Sequence, residues 1–234
     1  MAGTLAELEH LQMGILRRIA NLEGALLPHS FSAAVSASPQ CPSRSGEGGD
    51  ATVVRLSSIL RSNGARDFRF KRVDSDYYNR SFEARRSLLS AATVDHLCKS
   101  IVLVNTQAPS DVIDCSQRNN SKYYIVVVQY TARFNAEIVR NFLHALNNGK
   151  IAKKKFNLRL APDELSQQLT GYGHNAVTCI GMKTDIPVIL DEAIVNLEPD
   201  FFWLGGGEVD LKLGIRTSQF INCVKPFIMS CSSK

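Results

Sequence analysis

The sequence predicts an α+β (mixed α/β) fold: a single domain whose curved, mixed sheet is flanked by helices, preceded by a separate N-terminal amphipathic helix. Three observations point there. Strand-like and helix-like apolar patterns are interspersed, with several strands consecutive, which disfavours a doubly wound sheet. No GxGxxG or Walker pattern occurs. The chain has 234 residues and 44% hydrophobic content, enough for one sizeable core plus an appendage.

Taken in order, residues 4–27 have the clearest helical period. Leu8, Leu11, Ile15, Leu22 and Ala25 keep a 3-4 spacing, and Leu5, Ile19 and Leu26 widen the stripe. Such a helix docks on its own domain or forms a short coiled coil with a partner or a second copy. Residues 28–50 are a flexible spacer, because 12 of these 23 positions are Ser, Pro or Gly. The domain proper spans 51–225, with 226–234 as a loose tail. Asp50 is placed to cap a helix over 51–62, which Asn63-Gly64 ends. Phe68 to Val73 alternates as a strand with one basic face. Ser81 to Ser90 reads as a helix, and Ile101–Val104 and Tyr123–Tyr130 as buried strands around a polar loop at 105–122. Asn135 caps a helix running to Leu146, stopped at Asn147-Asn148-Gly149. Pro162-Asp163-Glu164 opens a helix ending at Thr170-Gly171, and 217–224 forms a last helix.

The stretch from Gly171 to Asp210 organises the rest. Its apolar runs Val177–Met182, Ile186–Leu190 and Phe201–Leu204 are separated by glycines or capping residues, which predicts three strands joined by tight loops. Its glycines leave room for something to lie against the main chain.

Charge is unevenly placed. Net charge is +5, yet residues 51–160 carry 19 Lys/Arg against 8 Asp/Glu, while both flanks are mildly acidic. This favours a polyanionic partner. No apolar run is long enough to cross a bilayer and no signal layout opens the chain, so a soluble, cytoplasmic protein with no membrane attachment is expected. The six cysteines contain no Cys-x-x-Cys pair and no grouping with His that suits zinc, so they are expected as reduced thiols and no metal or cofactor is expected.

Several of these residues together carry a family likeness. Leu97-Cys98-Lys99-Ser100-Ile101-Val102-Leu103, Leu160-Ala161 through Leu165, Thr170-Gly171-Tyr172, Val177-Thr178-Cys179-Ile180-Gly181, Pro187-Val188-Ile189-Leu190-Asp191 and the glycine-rich turn before Val209-Asp210-Leu211 resemble, in order, the YbaK/prolyl-tRNA synthetase-associated domain. The likeness covers roughly residues 68–223. It implies a partly barrel-like mixed sheet. It also implies trans-editing activity: metal-independent hydrolysis, without a covalent intermediate, of the ester that joins a wrong amino acid to a tRNA. The physical need for such a site is independent of the family. A synthetase pocket gains only about 1–3 kcal/mol per methylene, so small amino acids slip through and a second site must remove them.

The resemblance also implies roles. Lys99 stands at the position of the family's functional lysine, where it would contact a terminal phosphate or the ester carbonyl; the competing reading is a lysine snorkelling at a strand end. Asn175, Ala176, Val177, Thr178, Cys179 and Gly181 align with the substrate loop whose amides would hold the oxyanion. This chain departs there: Asn175 stands for the usual glycine and tolerates positive φ, and Cys179 stands for the usual proline and adds an amide donor. Cys179 is expected as an inert thiol, since no His–Asp partnership can be assigned to it. His174 abuts the loop and would bind the amino group or aid a water; otherwise it is incidental. Asp210 would hold the substrate ammonium or simply face solvent, whereas Asp191 reads as a helix cap. Gly205, Gly206 and Gly207 would admit the terminal adenosine or merely form a turn. Lys150, Lys153, Lys154, Lys155 and Arg159 form the densest basic run, expected to track the phosphates of the tRNA acceptor end. The function expected is an aminoacyl-tRNA deacylase, with tRNA(Pro) carrying Cys or Ala as the family's commonest substrate. The alternative is an inactive tRNA- or synthetase-binding module of the same fold.

Overall fold

A computed structural model describes residues 47–233. The helix expected over 4–27 and most of the spacer lie outside the described residues. The first described helix, α1 (Glu47–Ser62), starts before the expected boundary. Asp50 therefore lies one turn inside α1 and not at its cap. Gly64, at φ +89°, ends that segment in the left-handed region.

The larger sheet is built on β2 (Cys98–Asn105) and β3 (Tyr123–Gln129), an antiparallel pair. Its strand order is β5–β2–β3–β6–β9, where β5 is Leu158–Leu160, β6 Val188–Asp191 and β9 Phe227–Met229. β5 joins β2 antiparallel, while β3–β6 and β6–β9 are parallel, so the sheet is mixed as expected. The continuous apolar run in β3 is explained by burial on both faces. Ile125 and Val127 face one core with α1, β6 and the second sheet. Tyr124, Val126 and Val128 face another, closed by Val139 and Leu143 of α3 (Ala136–Leu146). Asn135 caps α3 as expected, its side chain accepting from the amides of Glu137 and Ile138.

The second sheet is antiparallel, in the order β1–β8–β7, with β1 Phe68–Arg72, β8 Leu211–Ile215 and β7 Phe202–Gly205. A parallel bridge between Leu97 and Trp203 connects it to the start of β2. The two sheets meet at this corner but do not close into a barrel. Helices α2 (Phe82–Leu89), α4 (Asp163–Thr170), α5 (Glu192–Val195) and α6 (Thr217–Val224) flank them. Ser81 caps α2, Asp191 caps α5 by accepting from Ala193 N at 3.2 Å, and Gly171 ends α4 at φ +82°. No described helix is long and apolar enough to cross a membrane.

Two further expectations are corrected. Val177–Met182 is not a strand. Two of its carbonyls are taken by side chains: Tyr172 donates its hydroxyl to Ile180 O at 2.5 Å, and Arg55 on α1 donates to Gly181 O at 3.0 Å. Gly181 then turns the chain at φ +65°. The run is apolar because it is buried, not because it pairs. Nor is the segment after α6 loose. Phe227–Met229 supplies β9, Ser232–Ser233 pairs as β10 with β4 (Arg133–Phe134), and Cys231 between them is fully buried.

Candidate functional site

A cavity of about 190 Å³ opens between the larger sheet and the segment that follows α4. β2 contributes Lys99, Ser100, Ile101 and Val102 to its wall, and β5 with the residue after it contributes Leu160 and Ala161. Facing them are His174, Asn175 and Val177, with Gly205 from the end of β7 and Tyr78 and Tyr130 at one side. Lys99 and the first half of the expected substrate loop thus border one hollow. Lys99 is half-buried, and its Nζ lies 5.8 Å from the centre of the Tyr130 ring.

The loop's shape follows from its residues. Ala176 N donates to Gly173 O at 3.0 Å, closing a four-residue turn whose third residue, Asn175, sits at φ +61°. Turns with positive φ at that place favour Gly or Asn, so Asn175 does the conformational work of the usual glycine. Gly207 N donates to Ala176 O at 3.1 Å, fixing the next peptide plane. The reason for glycine at 205 is proximity: a Cβ there would meet Val177 O at 2.3 Å. A Cβ at Gly206 would lie 2.9 Å from Leu211 O, and Gly207 holds φ +95°. Of these three glycines only Gly205 borders the cavity.

The second half of the loop faces elsewhere. Cys179 and Gly181 line a different cavity of about 320 Å³ on the α1 and α6 side, and Thr178 is fully buried. Burial pushes the Cys179 thiol up to about 12, with Ser100 Oγ 3.7 Å from its sulfur. It is therefore protonated at neutral pH and a poor nucleophile. The five described cysteines are all free thiols. Among the described residues no group of three or more His, Cys, Asp or Glu is arranged to hold a metal ion.

The remaining candidates are placed as follows. His174 Nδ1 lies 3.1 Å from Asp163 Oδ2 at the mouth of the cavity, with both side chains about two-thirds exposed. Asp210, expected beside the substrate ammonium, instead accepts from Arg72 at 2.7 Å on the outer edge of the second sheet and does not border the cavity. Lys153, Lys154 and Lys155 form an exposed 3₁₀ turn after Lys150, and Arg159 projects from edge strand β5. The next residue, Leu160, is 68% exposed and lines the cavity, so the basic run leads to its rim.

Tyr78, Tyr130, Asp163 and Ser166 border the cavity without having been singled out in the sequence, and a buried lysine stands behind Tyr78. Lys212 is 3% exposed, and its Nζ donates to Tyr78 Oη at 2.7 Å. Its sequence signal is a lysine inside the otherwise apolar run Leu211–Ile215. A buried charge of this kind requires partners.

Comparison with solved structures supports the fold. One match is a candidate trans-editing enzyme for prolyl-tRNA synthetase, at 17% identity and a TM-score of 0.58, covering 78% of this chain and 98% of that one. Another is a protein described only as hypothetical, at 16% identity and a TM-score of 0.56, covering 76% and 99%. Comparison with curated protein sequences gives no match. The aminoacyl-tRNA editing domain, as a family, matches residues 89–223, more than half of the 234. This chain belongs to the aminoacyl-tRNA editing domain family.

Proposed function

We propose that this chain is an aminoacyl-tRNA deacylase that hydrolyses the ester of a mischarged tRNA, metal-independently and without a covalent intermediate. The observation that carries the reading is the shared hollow: a cation from Lys99 on one wall and the turn at 173–177 on the other. The aminoacyl ester enters between them. Water attacks the carbonyl carbon, the carbonyl oxygen takes the negative charge, and the tetrahedral species collapses to free amino acid and the ribose hydroxyl. Main-chain amides at 174, 175 and 177 stabilise the oxyanion, and Lys99 holds the carbonyl oxygen or the neighbouring phosphate. Loss of a single such donor costs on the order of a hundredfold or more in rate. The reading assigns no chemistry to the Cys179 side chain.

The substrate we propose is a small wrong amino acid, Cys or Ala, on tRNA(Pro). Two observations support it: the cavity of about 190 Å³ has small and aliphatic residues such as Ala161, Val102 and Val177 in its wall, and a structural relative is a candidate trans-editor for prolyl-tRNA synthetase. The basic run from Lys150 to Arg159 would bind acceptor-end phosphates.

The test is a panel of misacylated tRNAs incubated with the full chain, with and without a chelator. Hydrolysis of Cys- or Ala-tRNA(Pro) that survives the chelator and falls by on the order of a hundredfold in Lys99→Ala is the expected result. No turnover above buffer for any pair overturns the reading; tRNA binding retained in that case identifies a binding module of the same fold.

A further inference from the structure

Behind the turn at 173–176 stands a chain of contacts that begins in the second sheet. Lys212 lies on β8, whose five residues are all buried. Its Nζ donates to Tyr78 Oη at 2.7 Å and to Val209 O at 2.9 Å. The same ammonium lies 4.4 Å from the centre of the Tyr78 ring and 4.8 Å from that of Tyr77, within cation–π reach of both. Tyr78 Oη in turn donates to Asn175 O at 2.7 Å. At its other end Tyr78 is held by Arg85, whose guanidinium donates to Tyr78 O and lies 5.5 Å from the ring centre. The tyrosine is thus fixed at backbone, ring face and hydroxyl, and its hydroxyl reaches the one residue of the turn at positive φ.

A peptide unit is planar, so fixing its carbonyl fixes the amide on its far side. Tyr78 sets the plane between Asn175 and Ala176, and Gly207 sets the plane between Ala176 and Val177. Ala176 N donates to Gly173 O, so the plane fixed by Tyr78 keeps the turn closed, and the plane fixed by Gly207 sets the direction of the Val177 amide. Asn in the left-handed region is less costly than most residues but is still not at a backbone minimum. A partner that fixes its carbonyl counteracts relaxation of the turn.

We propose that Tyr78 and Lys212 are positioning residues of this site: the buried ammonium keeps the Tyr78 hydroxyl aimed at Asn175 O and thereby fixes the turn opposite Lys99. Tyr78 lies outside the stretch 89–223 matched by the family. The catalytic consequence rests on the deacylase reading; the clamp itself does not. Burial pulls the Lys212 ammonium down to about 8; Asp210 opposes that shift and Arg85 adds to it, and the phenols of Tyr77 and Tyr78, pushed up by burial, stay neutral beside it. The amine loses its charge, and with it the attraction to both rings, as pH rises through about 8.

The experiment uses the full chain as wild type, Tyr78→Phe and Lys212→Met. Tyr78→Phe keeps the ring and removes only the hydroxyl. Hydrogen exchange is followed at the amides of Ala176 and Gly207, with β2 and β3 as internal reference. The expected result is exchange faster by about tenfold or more at those two amides in both variants, with β2 and β3 unchanged. Exchange equal to wild type, or acceleration shared by β2 and β3, overturns the proposal. Deacylation is then measured above the buffer rate. We expect kcat to fall by roughly ten- to a hundredfold in Tyr78→Phe with KM within about threefold, as misplacement of a catalytic group predicts. A decline of wild-type kcat above pH of about 8 is expected to vanish in Lys212→Met. Altered exchange with unchanged kcat overturns the positioning role. If wild type hydrolyses no misacylated tRNA, the deacylase reading fails and the exchange data alone decide whether the clamp exists.

Discussion

At the scale of single residues, burial decides which side chains are chemically available. Cys179 lies beside the proposed oxyanion donors, and a thiol there invites the idea of a nucleophile. Burial keeps it protonated, with its sulfur 3.7 Å from Ser100 Oγ. Cys179→Ala is accordingly expected to keep kcat/KM within about threefold of wild type, and the native thiol is expected to resist iodoacetamide at neutral pH. A loss of activity comparable to Lys99→Ala, with the fold intact, contradicts that assignment. Asp210 illustrates the same logic at the surface. A carboxylate in the expected sequence position pairs with Arg72 at 2.7 Å and does not border the cavity.

Between elements, the loop at 171–182 is held from three directions. β7 presses against it at Gly205, α1 satisfies it through Arg55, and the turn around Tyr78 reaches it from the front. The contact at Gly205 tolerates no side chain, because a methyl would collide with a backbone oxygen that cannot rotate away. Gly205→Ala is expected to destabilise the domain by about 3 kcal/mol or more, at the upper end for overpacking. It also displaces Val177, so urea unfolding and deacylation are expected to worsen together. A variant with an unchanged unfolding midpoint means that β7 and the loop are farther apart than they stand here. The first of the three strands predicted in the stretch 171–210 failed at this same scale: a buried apolar run looks alike whether its carbonyls are paired in a ladder or capped by Tyr172 and Arg55.

For the whole molecule, the unequal charge distribution becomes a direction. Lys153–Lys155 and Arg159 stand exposed on the stretch that ends in edge strand β5, and β5 ends at the cavity. A polyanion lying on this stretch is led toward Lys99. Lys154→Ala combined with Arg159→Ala is expected to weaken binding of all tRNAs alike and to reduce the slope of log K against log salt by about 1.5 to 2 in total. A salt slope equal to wild type in filter-binding titrations places the tRNA on another face.

What the sequence alone determined is what short-range chemistry controls. The ends of α3, α4 and α6, the caps Asn135 and Asp191, and the turn tolerated by Asn175 all follow from residues within a few positions of each other. The lysine entering β2 and the loop after α4 were also legible, because a family pattern preserved their order. Only the tertiary structure decided how they combine. It set the two halves of the loop against different cavities, placed Asp210 away from the cavity, recruited the last residues into the larger sheet and into a two-stranded pair with β4, and buried Lys212 against Tyr78. Each of these depends on contacts between residues distant in the chain, where burial and hydrogen-bond satisfaction are settled by packing, not by local preference.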